Sequence, residues 1–162
     1  EMRIGLKRTA YDAFRGDVKE YWMNHKGQFP AKIWFHWKVA HKVTKIGFTG
    51  ISDHKGFARP PKEFSVIGSM DCETWTILLN VRNADFKTSR SEQTREFKTW
   101  NIPSDKQGYY SCVGLSIAST MGRRDRVVAL TNIVMWEQLD LDASPSGKSD
   151  FVHIFRCVLA SL

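Results

Sequence analysis

From residue 31 to residue 137 the chain alternates apolar and polar positions with the period of a strand. Ile33, Phe35 and Trp37 alternate with Lys32, Trp34 and His36, the spacing required when one face of a strand is buried and the other is not. Val43–Phe48, Phe64–Ser69 and Thr74–Leu79 repeat the pattern, the last after a turn predicted at Met70–Glu73. Glu96–Ile102, Tyr109–Ala118 and Val127–Trp136 complete the set. Short strands joined by polar turns, with no convincing helix between them, predict an antiparallel β-sandwich.

The two ends of the chain have a different texture. Tyr11, Phe14, Val18, Tyr21 and Trp22 fall three or four apart, which predicts a turn or two of amphipathic helix, interrupted at Gly16. Gly27-Gln28-Phe29-Pro30 is expected to turn. At the other end, Phe151, Ile154, Phe155, Val158, Leu159 and Leu162 share one helical face behind Ser149 or Asp150 as cap. The expected organisation is a sandwich domain over 1–139, a linker over 140–150 and a C-terminal amphipathic helix over 151–162. That helix offers a surface for self-association.

Composition narrows the function more by exclusion than by assignment. The 162 residues suit one domain, and no apolar run reaches the roughly 18 residues that cross a bilayer. Lys and Arg number 24 against 17 Asp and Glu, for a net charge of +7, which favours anionic partners. Cys72, Cys112 and Cys157 are an odd set without a CxxC pair, and their bonding stays open. No HExxH, GxSxG, GxGxxG or P-loop motif occurs, so the chain is not expected to be an enzyme. The run Arg123-Arg124-Asp125-Arg126 is too short to define a nucleic-acid site.

Chemistry concentrates in the loops. The connection Gly50–Lys62 holds Asp53, His54, Lys55, Phe57 and Arg59 before a rigid Pro60-Pro61 exit. Cationic donors beside an aromatic face are a set that binds sugars, with hydrogen bonds to hydroxyls and a ring under the apolar sugar face. Loop Lys87–Arg95 adds Lys87, Arg90, Arg95 and several hydroxyls. Most tryptophans lie in strand-like segments and are expected in the core, whereas Trp22 and Phe57 fall outside them and are candidate contacts.

The order of segments resembles the discoidin domain, also called the coagulation-factor type C domain, among the galactose-binding-like β-sandwiches. Ala10–Asp17 followed by Trp22, the stretch Phe29–Trp37, and above all Phe64-Ser65-Val66-Ile67-Gly68-Ser69-Met70-Asp71-Cys72-Glu73-Thr74-Trp75 carry the resemblance. It implies an all-β antiparallel jelly roll and non-catalytic binding by loops at one end of the sandwich. By loop position, the implied ligand residues are Trp22, His25, Lys26, Asp53, His54, Lys55, Phe57, Arg59, Lys87 and Arg90. The implied partners are glycans, favouring acidic ones, with carbohydrate recognition or cell adhesion outside the cell as the role. Anionic phospholipid head groups or a protein partner are the alternatives. The family's calcium implies Asp17 and Glu137 as ligands here, but Arg15 stands where an acid is usual, and a cation disfavours that ion. No other cofactor is expected.

Overall fold

A computed structural model describes residues 21–24, 28–52, 58–89, 92–122 and 127–137, together with the backbone of 154–155. Among the described residues eight strands follow in chain order: β1 (Trp22–Met23), β2 (Ala31–Ser52), β3 (Pro61–Ser69), β4 (Thr76–Val81), β5 (Thr94–Asn101), β6 (Tyr109–Thr120), β7 (Ala129–Glu137) and β8 (Ile154–Phe155). All pairings are antiparallel. One sheet runs β2–β6–β3–β4. The other runs β5–β2–β7, with β1 and β8 both on the far side of β7.

The sequence predicts two strands where the chain forms the single long β2. Its first half, Ala31–Lys42, pairs with β6, and its second half, Val43–Ser52, pairs with β7 and β5. Between His36 and His41 the register against β6 slips, a bulge of the kind that bends a strand from one sheet into another. Alternation is lost across Lys38–Lys42 because the strand there changes which sheet it serves. A second irregularity falls near Asn132, which adopts a positive φ of 52° where the β7 register shifts; asparagine tolerates that conformation better than most residues.

The inward-facing residues of both sheets make one core. Ile33, Ile46, Val66, Leu115, Ile117 and Leu130 are buried in it. Its centre is aromatic: Phe48 stacks on Trp100 at 4.8 Å and meets Phe64 edge-on at 5.3 Å, so the contact bridges the sheets. Phe86, from the β4–β5 loop, joins the group at 5.7 Å from Phe48.

The turn predicted at Met70–Glu73 forms, and it does more than reverse the chain. The Asp71 carboxylate accepts hydrogen bonds from the Ser69 hydroxyl (2.7 Å) and from the amides of Glu73 (2.8 Å) and Thr74 (2.7 Å). Held so, Cys72 takes a φ of 60° and forms a disulfide with Cys112 on β6, their Cα atoms 5.5 Å apart. The Ser69 hydroxyl, then the Thr74 and Glu73 amides, hold the Asp71 carboxyl far below its ordinary value of 3.8. A depressed folded-state pKa means this contribution to stability is complete above the unfolded value near 4. It is lost as pH falls below that value. In a carboxyl-carbon NMR titration Asp71 is expected to stay ionised at pH 3; a midpoint near 4 would show that the turn does not hold the carboxylate.

Two helical expectations are corrected. Trp22, assigned by spacing to an amphipathic helical turn, sits in β1 paired with Leu130. Within the predicted helix over 151–162, Ile154 and Phe155 are extended and pair with Trp136 and Met135, because the free edge of β7 offers backbone partners that a helix would leave unused. A self-association surface on that helix loses its basis. The rest of that helix and the 140–150 linker lie outside the described residues.

Candidate functional site

The described flanks of the three loops expected to bind ligand meet at one end of the sandwich. β1 brings Met23 beside Ala129. Beyond it, the Asn24 side chain accepts the Val128 amide (2.7 Å) and donates to the Gln28 carbonyl (2.8 Å). Asn24 thus closes its own segment and ties it to the β7 entry. From the second loop, the Arg59 carbonyl accepts the Ala129 amide at 3.0 Å, and the Pro60 carbonyl accepts that of Met121 at 2.9 Å. A bridge between Ser52 and Ala58 closes the base of this loop.

The third loop is tied to the second. The Ala84 amide donates to the Lys62 carbonyl at 3.0 Å. Phe86 is 3% exposed and packs so closely on β2 that a Cβ at Gly50 would lie 2.8 Å from both its ring and Pro60; glycine is required there by the approach. Lys98 reaches under the loop, donating to the carbonyls of Ala84 and Asp85 and lying 5.3 Å above the Phe86 ring. The Lys87 amide donates to Glu96 Oε2 at 2.7 Å, and Thr94 donates to the Lys87 carbonyl at 3.0 Å. The result is a rim of fixed loop bases.

The predicted ligand residues divide by what the structure shows of them. Arg59 and Lys87 lie on the rim, Arg59 half-buried with Nη1 3.8 Å from Met23 Sδ, and Lys87 exposed. Trp22 is only 2% exposed, and its ring belongs to the core. Its candidacy as an exposed contact is therefore corrected: the β1–β7 pairing turns the indole inward. Its Nε1 has no hydrogen-bond partner among the described residues. His25, Lys26, Asp53, His54, Lys55, Phe57 and Arg90 lie outside the described residues.

The calcium expectation finds no support at Glu137. This residue ends β7, at the other end of the strand from the rim, and its Oε1 lies 2.9 Å from His41 Nδ1. A carboxylate engaged by an imidazole is a poor start for a hard cation that needs six or more oxygens. Asp17 lies outside the described residues. Arg95, the third cation of the Lys87–Arg95 loop, stands opposite Ile51 on β5. One of its guanidinium nitrogens is buried without an acceptor among the described residues.

Comparison with known proteins returns no matching family model and no matching curated protein. Solved structures do match in fold. The chain is similar to CBM32-1 from a family 31 glycoside hydrolase of Clostridium perfringens, with a TM-score of 0.60 and 12% identity over 82% of this chain and 87% of that one. It is similar to CBM32-5 of a second Clostridium perfringens protein, CpGH89, solved with GalNAc-β-1,3-galactose, with a TM-score of 0.59 and 14% identity over 80% and 84%. A third similar structure is the CBM32 of AlyQ in complex with 4,5-unsaturated mannuronic acid, with a TM-score of 0.61 and 11% identity over 83% and 91%. The chain therefore has the all-β, galactose-binding-like sandwich fold of these carbohydrate-binding modules.

Proposed function

We propose that the chain is a non-catalytic carbohydrate-binding domain of the discoidin type, acting outside the cell or at its surface. The carrying observation is the rim, where the bases of the first two loops are hydrogen-bonded to the entry of β7 and the third is hydrogen-bonded to the second. Arg59 and Lys87 supply charge-assisted donors there, and the net charge of +7 favours glycans carrying carboxylate or sulfate. The Cys72–Cys112 disulfide suits an oxidising compartment. The fold neighbours solved with a GalNAc disaccharide and with a uronic acid support the ligand class. The membrane alternative is weaker with Trp22 in the core, because an apolar side chain for insertion is lost.

The test is a glycan array read at low and high salt, followed by calorimetry on the best ligand. An acidic glycan is expected to bind more weakly as salt rises, and the Arg59→Ala/Lys87→Ala double variant is expected to lose roughly tenfold in affinity. Absence of any glycan binding at low salt would overturn the proposal. Stronger binding to phosphatidylserine vesicles than to any glycan would favour the membrane reading instead.

A further inference from the structure

The sheet β2–β6–β3–β4 turns its second face away from the core, and that face is not uniformly polar. On β2, Lys32, Trp34 and His36 all point outward, and Trp34 is 46% exposed. Opposite Trp34 stands Gly114, where an added Cβ would fall 2.2 Å from the Ile33 carbonyl oxygen and 2.6 Å from Trp34 Cβ. Only glycine fits there, so the floor beside the indole is bare backbone. Trp75, delivered by the Asp71 turn, meets Trp34 edge to face at 5.7 Å. Lys32 Nζ lies 6.0 Å from the Trp75 ring centre, and no carboxylate pairs with it among the described residues. Across the sheet, past Ile77 at 51% exposure, the surface sinks into a depression of about 240 Å³ whose lining includes Ser65, Asn80, Arg82 and Glu63, the last accepting the Ser119 hydroxyl at 3.0 Å.

A largely exposed indole beside a second, half-buried one is a costly surface feature unless something covers it. The surroundings indicate what. The β2 half that carries Trp34 is an edge of this sheet, and its exposed Lys32 and Lys38 are the charges that discourage an added protein strand. An occupant without a strand to add, with flat C–H faces, many hydroxyls and a negative charge, fits each component. Its ring faces lie on indole, its hydroxyls meet Ser65 and Asn80, and its carboxylates meet Lys32 and Arg82.

We propose that this outer sheet face is a second glycan-binding surface, which takes an acidic oligosaccharide across Trp34 and Trp75 with a uronate carboxylate at Lys32. The inference rests on the carbohydrate-binding reading for its ligand class, but it uses none of the rim residues. A chain of sugars bound at both places would gain avidity from the second contact.

The probe is a hexasaccharide of galacturonate or of mannuronate, titrated calorimetrically into the full chain at low salt. In the Arg59→Ala/Lys87→Ala variant, binding at the sheet face is expected to survive. Adding Trp34→Ala or Trp75→Ala to that variant is expected to weaken it roughly tenfold, and Lys32→Ala several-fold, with the unfolding midpoint monitored in each. Trp34→Phe keeps a ring and is expected to retain most of the affinity, which separates loss of the platform from loss of the fold. If the rim variant abolishes all uronate binding while Trp34→Ala binds as the parent does, the sheet-face site is overturned and the rim reading stands. If neither hexasaccharide nor any other glycan binds the parent chain, both fail. If Trp34→Ala leaves uronate affinity unchanged but dissolves a self-associated species in sedimentation velocity, the face is a protein contact and the proposal is wrong.

Discussion

Phe48→Ala is expected to lower the stability of the domain by about 3–5 kcal/mol, the usual cost of deleting a fully buried ring. The ring has 0% exposure and touches Phe64, Phe86 and Trp100 at centroid distances of 5.3, 5.7 and 4.8 Å. Those three partners come from the opposite sheet, a loop and the same sheet, so the void opens where all three meet and no single element can collapse into it. The effect should appear as a lower urea midpoint with an unchanged slope. Phe48→Leu keeps most of the volume and is expected to cost less than half as much. A loss below about 1 kcal/mol for the alanine variant would mean that the aromatic centre relaxes freely and does not hold the sheets together.

Removing the Cys72–Cys112 disulfide is the second large effect. The bond closes a segment of sequence separation 40, and the chain-entropy relation puts its contribution at about 4 kcal/mol. For a domain of this size that corresponds to roughly 10 °C in the thermal midpoint. The comparison is Cys72→Ser/Cys112→Ser against the parent chain, with the parent also measured after reduction. Both are expected to shift by similar amounts, since both free the same segment of the unfolded chain. Cys112 is fully buried, so the serine variant loses slightly more by placing a hydroxyl there. An unchanged midpoint after verified reduction would show that the Asp71 turn alone fixes this corner.

Much of the architecture was legible because alternation is a direct consequence of a half-buried strand. The strands expected over Phe64–Ser69 and Tyr109–Ala118 form, extended to Pro61 at the start of β3 and to Thr120 at the end of β6, and these are the middle strands of their sheet. Legibility failed where period and length could not discriminate. β1 has two residues, too few to distinguish a period of 2 from one of 3.6, so Trp22 looked helical. Trp34 shows a different failure. Its parity with Lys32 and His36 already placed it on the outer face, but its hydrophobicity argued for the core, and parity proved the better guide. The pairing of Cys72 with Cys112 depends on the β3–β6 register, which sets Ser69 against Cys112 and which spacing along the chain does not encode. Arg95 was legible as one cation of a basic loop, but its place on β5 opposite Ile51 depends on a pairing that spacing along the chain does not encode.

β2 carries a consequence for recognition. One continuous backbone belongs to both layers, so the layers cannot slide past each other or hinge apart without breaking that strand's own ladder. Under the proposed binding at the loops, the shared strand leaves little ordering of the scaffold to offset against ligand contacts. The frame can host new specificities without being rebuilt.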